Sequence, residues 1–193
     1  MEVGAYDGEC VSNTCFLADE GWKGLYIEPT TDIYNKCLKR HVDNDVVVVN
    51  VSIGLEEGTQ TIYSGDTLST LREDQMQRYN EIDVFQHVSF QEDTCTQVRL
   101  DNLINKLTVP KNFDLLVVDV EGKESEVFKT FKLNEWKPKM LIVELEDEHP
   151  KFQQYTDLIE EIKELRQYIN SNGYIEIFKD HINTVFVRSE LLK

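Results

Sequence analysis

Apolar and polar positions alternate along the chain in blocks that read strand, helix, strand, helix, the pattern of a mostly parallel sheet covered on both faces. Met1 to Ala5 reads as the first strand, and a helix is expected over Asn13 to Glu20. Gly21-Trp22-Lys23-Gly24 turns the chain into a second strand, Leu25 to Glu28, which Pro29 ends. Thr30 or Thr31 then caps a helix running to about Arg40. Val46 to Val51 is apolar without polar alternation, which predicts a strand buried on both faces. Ile53-Gly54 and Gly58 flank an acidic turn, and Thr59 to Tyr63 reads as a strand, so a small antiparallel excursion is expected here.

No helical period persists over residues 64–97: Ser64 to Thr70 has loop composition, and Phe85 to Phe90 and Cys95 to Leu100 read as short strands. So long an irregular stretch inside a domain is commonly functional, and an acceptor-binding lid is the expectation. Regularity returns with a short helix, Asn102 to Leu107, capped by Asp101 and broken at Val109-Pro110. Phe113 to Asp119 is a strand, Glu124 to Phe131 a helix, and Met140 to Leu145 a strand. Tyr155 to Asn172 is the longest helix, with Leu158, Ile162, Leu165 and Ile169 on one face as core. Gly173 closes it, and Tyr174 to Phe178 and Asn183 to Val187 form a final hairpin. The expected fold is α/β and Rossmann-like, a mostly parallel seven-stranded sheet with helices on both faces and a C-terminal antiparallel hairpin.

With 193 residues the chain is read as one domain, 1–193. Met1 stands directly on the first strand, so either that strand is short or residues before it have been trimmed. The 36 acidic against 20 basic residues, a formal charge of −16, disfavour a nucleic-acid partner, which is bound largely through Lys and Arg. The cluster Lys36, Lys39, Arg40 and His41 falls at a helix end, where it favours the helix dipole. No run reaches the ~20 apolar residues of a membrane span and no signal segment opens the chain, so a cytoplasmic location is expected. Cys10, Cys15, Cys37 and Cys95 lack zinc-ligand spacing. Asn50-Val51-Ser52 spells a glycosylation acceptor and is read as a strand end.

Glu28 changes the picture most. A carboxylate at the tip of the second strand of an open α/β sheet accepts ribose hydroxyls, and the glycines of Gly4-Ala5-Tyr6-Asp7-Gly8 let backbone approach a nucleoside. A dinucleotide fingerprint is missing, because Tyr6 and Glu9 stand where its second and third glycines belong. Asp7 and Glu9 would repel a pyrophosphate and suit the sulfonium and ammonium of S-adenosylmethionine. A nicotinamide-dependent dehydrogenase is disfavoured on the same grounds. Asp119, Glu121 and Glu124 crowd the end of one strand and Glu144 the end of the next, so Asp119, Glu121 and Glu144 are expected to converge beside the cofactor. Some of Glu124, Glu126, Glu146, Asp147 and Glu148 are expected to form a solvated rim.

Taken in order, Glu2-Val3-Gly4-Ala5-Tyr6-Asp7-Gly8, Ser12-Asn13-Thr14, Gly24-Leu25-Tyr26-Ile27-Glu28-Pro29, Asn50-Val51-Ser52-Ile53-Gly54, Val118-Asp119-Val120-Glu121-Gly122-Lys123-Glu124 and Leu141-Ile142-Val143-Glu144 resemble the FkbM-type methyltransferase family. The resemblance covers most of the chain to about residue 145. It implies the class I methyltransferase fold, S-adenosylmethionine as methyl donor, and O-methylation of a hydroxyl on a sugar or other small metabolite. It also implies a cofactor site at Glu2, Gly4, Ala5, Tyr6, Gly8, Asn13, Glu28, Pro29, Ser52, Ile53 and Asp119.

A sugar hydroxyl is a poor nucleophile and needs a general base or a divalent metal. Asp119 is the expected base, with Glu121 and Glu144 either orienting it or completing an oxygen-rich Mg²⁺ site with it. His149, just before Pro150, is the alternative base. The expected partner is a small-molecule or glycan acceptor. The rival reading is an interaction module that keeps the nucleoside pocket without catalysing.

Overall fold

The structure, a computed structural model, describes residues 1–192. Its elements run β1 (Glu2–Val3), α1 (Cys15–Asp19), β2 (Gly24–Ile27), α2 (Thr31–Arg40), β3 (Val46–Val49), β4 (Ser52–Ile53), β5 (Gly58–Ser64), α3 (Glu73–Glu81) and β6 (Gln91–Val98). They continue with α4 (Leu100–Lys106), β7 (Leu115–Val118), α5 (Glu124–Lys129), α6 (Leu133–Trp136), β8 (Met140–Glu144), α7 (Thr156–Ser171), β9 (Tyr174–Lys179) and β10 (Asn183–Arg188). The main sheet has the order β3-β2-β1-β7-β8-β10-β9. It is parallel from β3 to β8, and β10 pairs antiparallel with both β8 and β9. The strand order reverses between β1 and β7, and an open parallel sheet binds ligands in the crevice beyond the strand ends at such a point.

Valine and leucine runs make the centre. Leu116, Val117 and Val118 of β7 and Leu141 and Val143 of β8 are fully buried, and α7 lays Leu158, Ile162, Leu165 and Ile169 on this core. Each of those α7 residues sits three or four positions from the next, the stripe that a 3.6-residue period keeps on one face. Val46 to Val51 departs from expectation. It ends at Val49 and forms an edge strand with Val47 53% exposed, so its unbroken valines do not mark a strand covered on both sides. β-Branched residues favour strands even at an edge.

The antiparallel excursion is present as a second sheet, β4-β6-β5, in which β5 and β6 pair over seven residues. The loop expected after Ser64 is present, with one 3-10 turn at Asp66–Leu68, and the strand expected from Cys95 is the end of β6, but the middle of the segment departs from expectation. Glu73–Glu81 is a helix, and Phe85 to Phe90 forms no strand. The α3 residues that face inward are Gln75, Arg78 and Tyr79, so the inward stripe keeps its helical spacing with mostly polar residues and leaves no apolar period to read. Phe85 and Phe90 instead pack on the ring of Tyr79.

The switch point is built on a close approach. Gly4 has φ +85°, its N–H donates to the Ile27 carbonyl at 3.0 Å, and a β-carbon there would stand 1.6 Å from the Asp119 carbonyl oxygen. Gly21 has nearly the same φ, +83°, with nothing within 4 Å. The pair separates conformational cost from steric cost. Gly21→Ala should lose about 1–2 kcal/mol, the cost of a left-handed residue. Gly4→Ala adds displacement of the β7 exit and should lose about 3–5 kcal/mol in denaturant unfolding. Equal losses at the two positions would show that the approach is not tight.

Candidate active site

A cavity of about 350 Å³ opens at the switch point, within the usual range for small-molecule sites. Its floor is the backbone after β1 (Gly4, Ala5, Tyr6) and the tips of β2 and β7. Glu28 follows β2 directly and is 6% exposed. One carboxylate oxygen accepts the Tyr6 N–H at 3.1 Å and the other accepts the Thr30 N–H at 2.7 Å, so Glu28 ties the first loop to the start of α2. Burial pushes its carboxyl up to about 7, against the pull of those N–H donors. Asn50 supports the same tip by donating to the carbonyls of Glu28 and Pro29 at 2.9 and 3.0 Å.

The other residues expected around a cofactor divide in two. Gly4, Ala5, Tyr6, Asn13, Glu28, Pro29, Ser52, Ile53 and Asp119 all line this cavity, whereas Glu2 and Gly8 lie behind it. Glu2 is buried and accepts from the Ser12 hydroxyl and the Asn13 N–H, both at 2.9 Å, and from the Thr14 hydroxyl, so it anchors the loop. Gly8 packs on α2, where a β-carbon would meet His41 and Cys37 within 2.8 Å, and its carbonyl lies 2.8 Å from His41 Nε2. Asp7 and Glu9 do not face the cavity. Asp7 accepts the N–H groups of Glu9 and Cys10 at 3.0 and 2.7 Å, and Glu9 pairs with Arg40 on the outer surface. The negative field inside the site therefore comes from elsewhere. Arg40 also bonds Asp19 at 2.7 Å, so the basic cluster at the end of α2 partly serves as a clamp on that loop.

Asp119, Glu121 and Glu144 are the acidic groups that come together inside the cavity. They follow β7 and end β8, and each offers an oxygen within 4.8 Å of the other two. Burial raises the Asp119 carboxyl to about 6, offset by a hydrogen bond with Glu144. Glu121 and Glu144 are pushed well above the usual carboxylate range by burial and then by the Asp119 charge. Glu121 sits at φ +54° and accepts a hydrogen bond from the hydroxyl of Tyr79. Glu124 does not join them. Its Oε1 accepts the N–H groups of Val120 and Gly122 at 3.1 and 3.2 Å, which braces the loop from behind.

The expected solvated rim is only partly solvated. Glu146 lines the cavity, and burial raises its carboxyl to about 8. Asp147 is largely buried against Arg166, 2.7 Å away, and Lys179. His149 lines the outer end of the cavity. Its Nδ1 accepts the Lys151 N–H at 3.2 Å, and burial, with the nearby His181 and Lys151 charges, lowers its pKa. Glu146 was readable, because it lies two positions beyond Glu144 and an extended chain repeats its facing every second residue. Tyr79 gave no such signal, since nothing around it spelled a helix. Lys123 is the one lysine or arginine lining the cavity among the described residues, and its amine is 3.1 Å from Glu126.

These shifts fix a pH dependence. A carboxyl whose folded pKa lies above its unfolded value binds more protons when folded, so its stabilising contribution falls as pH rises between the two values. The windows run from 3.8 to about 6 for Asp119, from 4.5 to about 7 for Glu28 and Glu124, and from 4.5 to about 8 for Glu146. The Met1 amine, lowered to about 6, and His149 act in the opposite sense and are outnumbered. In the presence of chelator, unfolding free energy should fall from pH 5 to pH 8. A flat or rising profile in urea titrations would contradict the buried cluster.

No curated protein matches the chain. The family model described as the methyltransferase FkbM domain matches residues 2–176, which span the main sheet from β1 into β9 and include every residue of the cavity floor and the acid cluster. Over that extent the chain belongs to the FkbM methyltransferase family.

Proposed function

We propose that this methyltransferase transfers a methyl group from S-adenosylmethionine to a hydroxyl of an uncharged sugar or other small neutral acceptor. The observation that carries the reading is the placement of Asp119, Glu121 and Glu144 in the same cavity as Glu28 and Gly4. Family membership implies S-adenosylmethionine. The residues fit it: the Glu28 carboxylate keeps lone pairs beyond its two N–H partners for ribose hydroxyls, the chain at Gly4, Ala5 and Tyr6 lines the cavity beside it, and the acidic lining suits a sulfonium. When bound, it supplies an electrophilic methyl group.

The chain's own task is to align an oxygen with that methyl and take its proton. Asp119 is the proposed base: with a pKa of about 6 it is largely ionised at neutral pH and basic enough to accept a hydroxyl proton as the new bond forms. Burial keeps it basic, and Glu121 and Glu144 beside it orient it. The same three carboxylates would hold a Mg²⁺ ion, which would lower the acceptor's pKa. His149, which lines the same cavity, is the alternative base. Asp66, Leu68, Leu71 and Phe85 come from residues 64–97 and line the same cavity, which supports an acceptor-binding role for that segment. The preference for a neutral acceptor follows from charge. A phosphate or carboxylate entering the cavity would meet Asp119, Glu121, Glu144 and Glu146, with Lys123 already engaged by Glu126.

Glu28→Ala should weaken S-adenosylmethionine binding by about 1.5–3 kcal/mol, the range for hydrogen bonds to a charged group, in calorimetry on the folded variant. Unchanged affinity would remove the ribose assignment.

Asp119→Asn keeps shape and removes the base, so conversion of S-adenosylmethionine to S-adenosylhomocysteine should slow by about 10²–10⁴ with cofactor affinity kept. A metal-assisted enzyme also loses activity to chelator and regains it with Mg²⁺, whereas a pure base does not respond. A stable Asp119→Asn protein at near wild-type rate would refute the assignment, and wild-type protein that binds the cofactor without any turnover would favour the module.

A further inference from the structure

The segment between β5 and β6 reaches the acid cluster from outside the main sheet, and four of its side chains converge on two consecutive residues. Tyr79 donates its hydroxyl to Glu121 Oε2. Thr70 Oγ1 donates to the Glu121 carbonyl at 2.7 Å, and Arg72 Nη1 donates to the Gly122 carbonyl at 2.9 Å. Gln75 lies over Gly122, 3.2 Å from where a β-carbon would stand. Both targets are left-handed, Glu121 at φ +54° and Gly122 at φ +98°. A glutamate in that region costs about 1–2 kcal/mol and persists only where its surroundings over-determine it.

The contacts have the rigidity to do so. Tyr79 is 1% exposed, and its ring is set edge-on to Phe85 at 5.4 Å and to Phe152 at 6.2 Å. Packing alone would be met by phenylalanine, and a buried hydroxyl is costly unless it has a partner; here the partner is Glu121. Arg72 is itself fixed by Asp74 and by Glu161 of α7, each at 2.7 Å.

We propose that Tyr79 is a positioning residue: acting through Glu121, with Thr70 and Arg72 fixing the backbone beneath, it aims that carboxylate at Asp119 and Glu144. The inserted segment thereby completes the reaction centre as well as covering it. This rests on the reading of Asp119, Glu121 and Glu144 as the reacting groups.

The test is Tyr79→Phe, which keeps the ring, with Thr70→Val as a second variant that leaves Tyr79 in place. Hydrogen exchange of the amides at residues 120–122 should quicken about tenfold to a hundredfold, the factor that goes with a lost hydrogen bond to a charged group, while β2 and β7 amides stay protected. Calorimetric affinity for S-adenosylmethionine should be unchanged. Its conversion to S-adenosylhomocysteine with water as acceptor should fall in kcat and not rise in KM. Adding Tyr79→Phe to Glu121→Gln should cost nothing further, because the two act as one unit. Unchanged exchange at 120–122 in both variants overturns the proposal. So does a loosened loop with full turnover, in a protein that Asp119→Asn inactivates. Full turnover in Asp119→Asn itself would instead remove the reading of the trio, and the exchange data would still decide whether Tyr79 holds Glu121.

Discussion

Carboxylates taken out of water must be met by donors, by cations or by protons, and how each is met sorts the acidic residues of this chain by role. Glu2 accepts from two hydroxyls and an N–H, Glu124 from two N–H groups, and Glu28 from two more. Each joins a loop to an element and would do so whatever filled the cavity. Asp119, Glu121 and Glu144 have no backbone donors of this kind. Their neighbours are one another and the Tyr79 hydroxyl, so burial and their mutual repulsion are met by protons at this one spot. A ligand carrying positive charge relieves that spot. The structural carboxylates build the pocket, and the others are the groups that the proposed function makes reactive.

The cations reinforce this division by their positions. Arg40 bridges Glu9 and Asp19, Arg72 bridges Asp74 and Glu161, Arg78 reaches Asp157, and Arg166 bridges Asp147 and Glu176. All four fasten loops or helices around the periphery. In a chain of net charge −16, each arginine held outside the cavity leaves the field within it uncompensated. The more exposed of these, such as Arg40 with Glu9, contribute little to stability individually, so their geometric role weighs more than their energy.

What could be read in the sequence was whatever apolar periodicity or strand-end position dictates. β7 and β8 were legible as unbroken apolar runs ending in carboxylates, and α7 as a stripe of Leu158, Ile162, Leu165 and Ile169. The fold class and the convergence of Asp119, Glu121 and Glu144 follow from those. Val46 to Val49 misled because composition does not say which strand lies at the edge. Asp7 and Glu9 misled for a different reason. Their nearness in sequence to the cofactor loop does not set facing, and Asp7 turns back to its own backbone, as aspartate does in turns. α3 was invisible because its inward face is Gln75, Arg78 and Tyr79, polar groups whose burial is made tolerable by partners supplied from α7 and the β7 exit.

That dependence on partners explains why the inserted segment and the site stand or fall together. Four non-glycine residues of the cavity sit on left-handed backbone, Val11 at φ +55°, Asp66 at φ +60° and, in the loops after β1 and β7, Tyr6 at φ +48° and Glu121 at φ +54°. The last two are bonded to the segment between β5 and β6, Tyr6 through its hydroxyl to Asp66 and Glu121 through Tyr79 and Thr70. Strain in two loops that grow from different strands is thus held by one segment that belongs to neither. If the segment lifted, both loops would lose their tethers in the same motion, the first at the cofactor end and the second at the reacting end. On the proposed reading of the acid trio, opening for exchange and disassembly of the reaction centre would then be a single event, and the centre would form only when the cavity is closed over its contents.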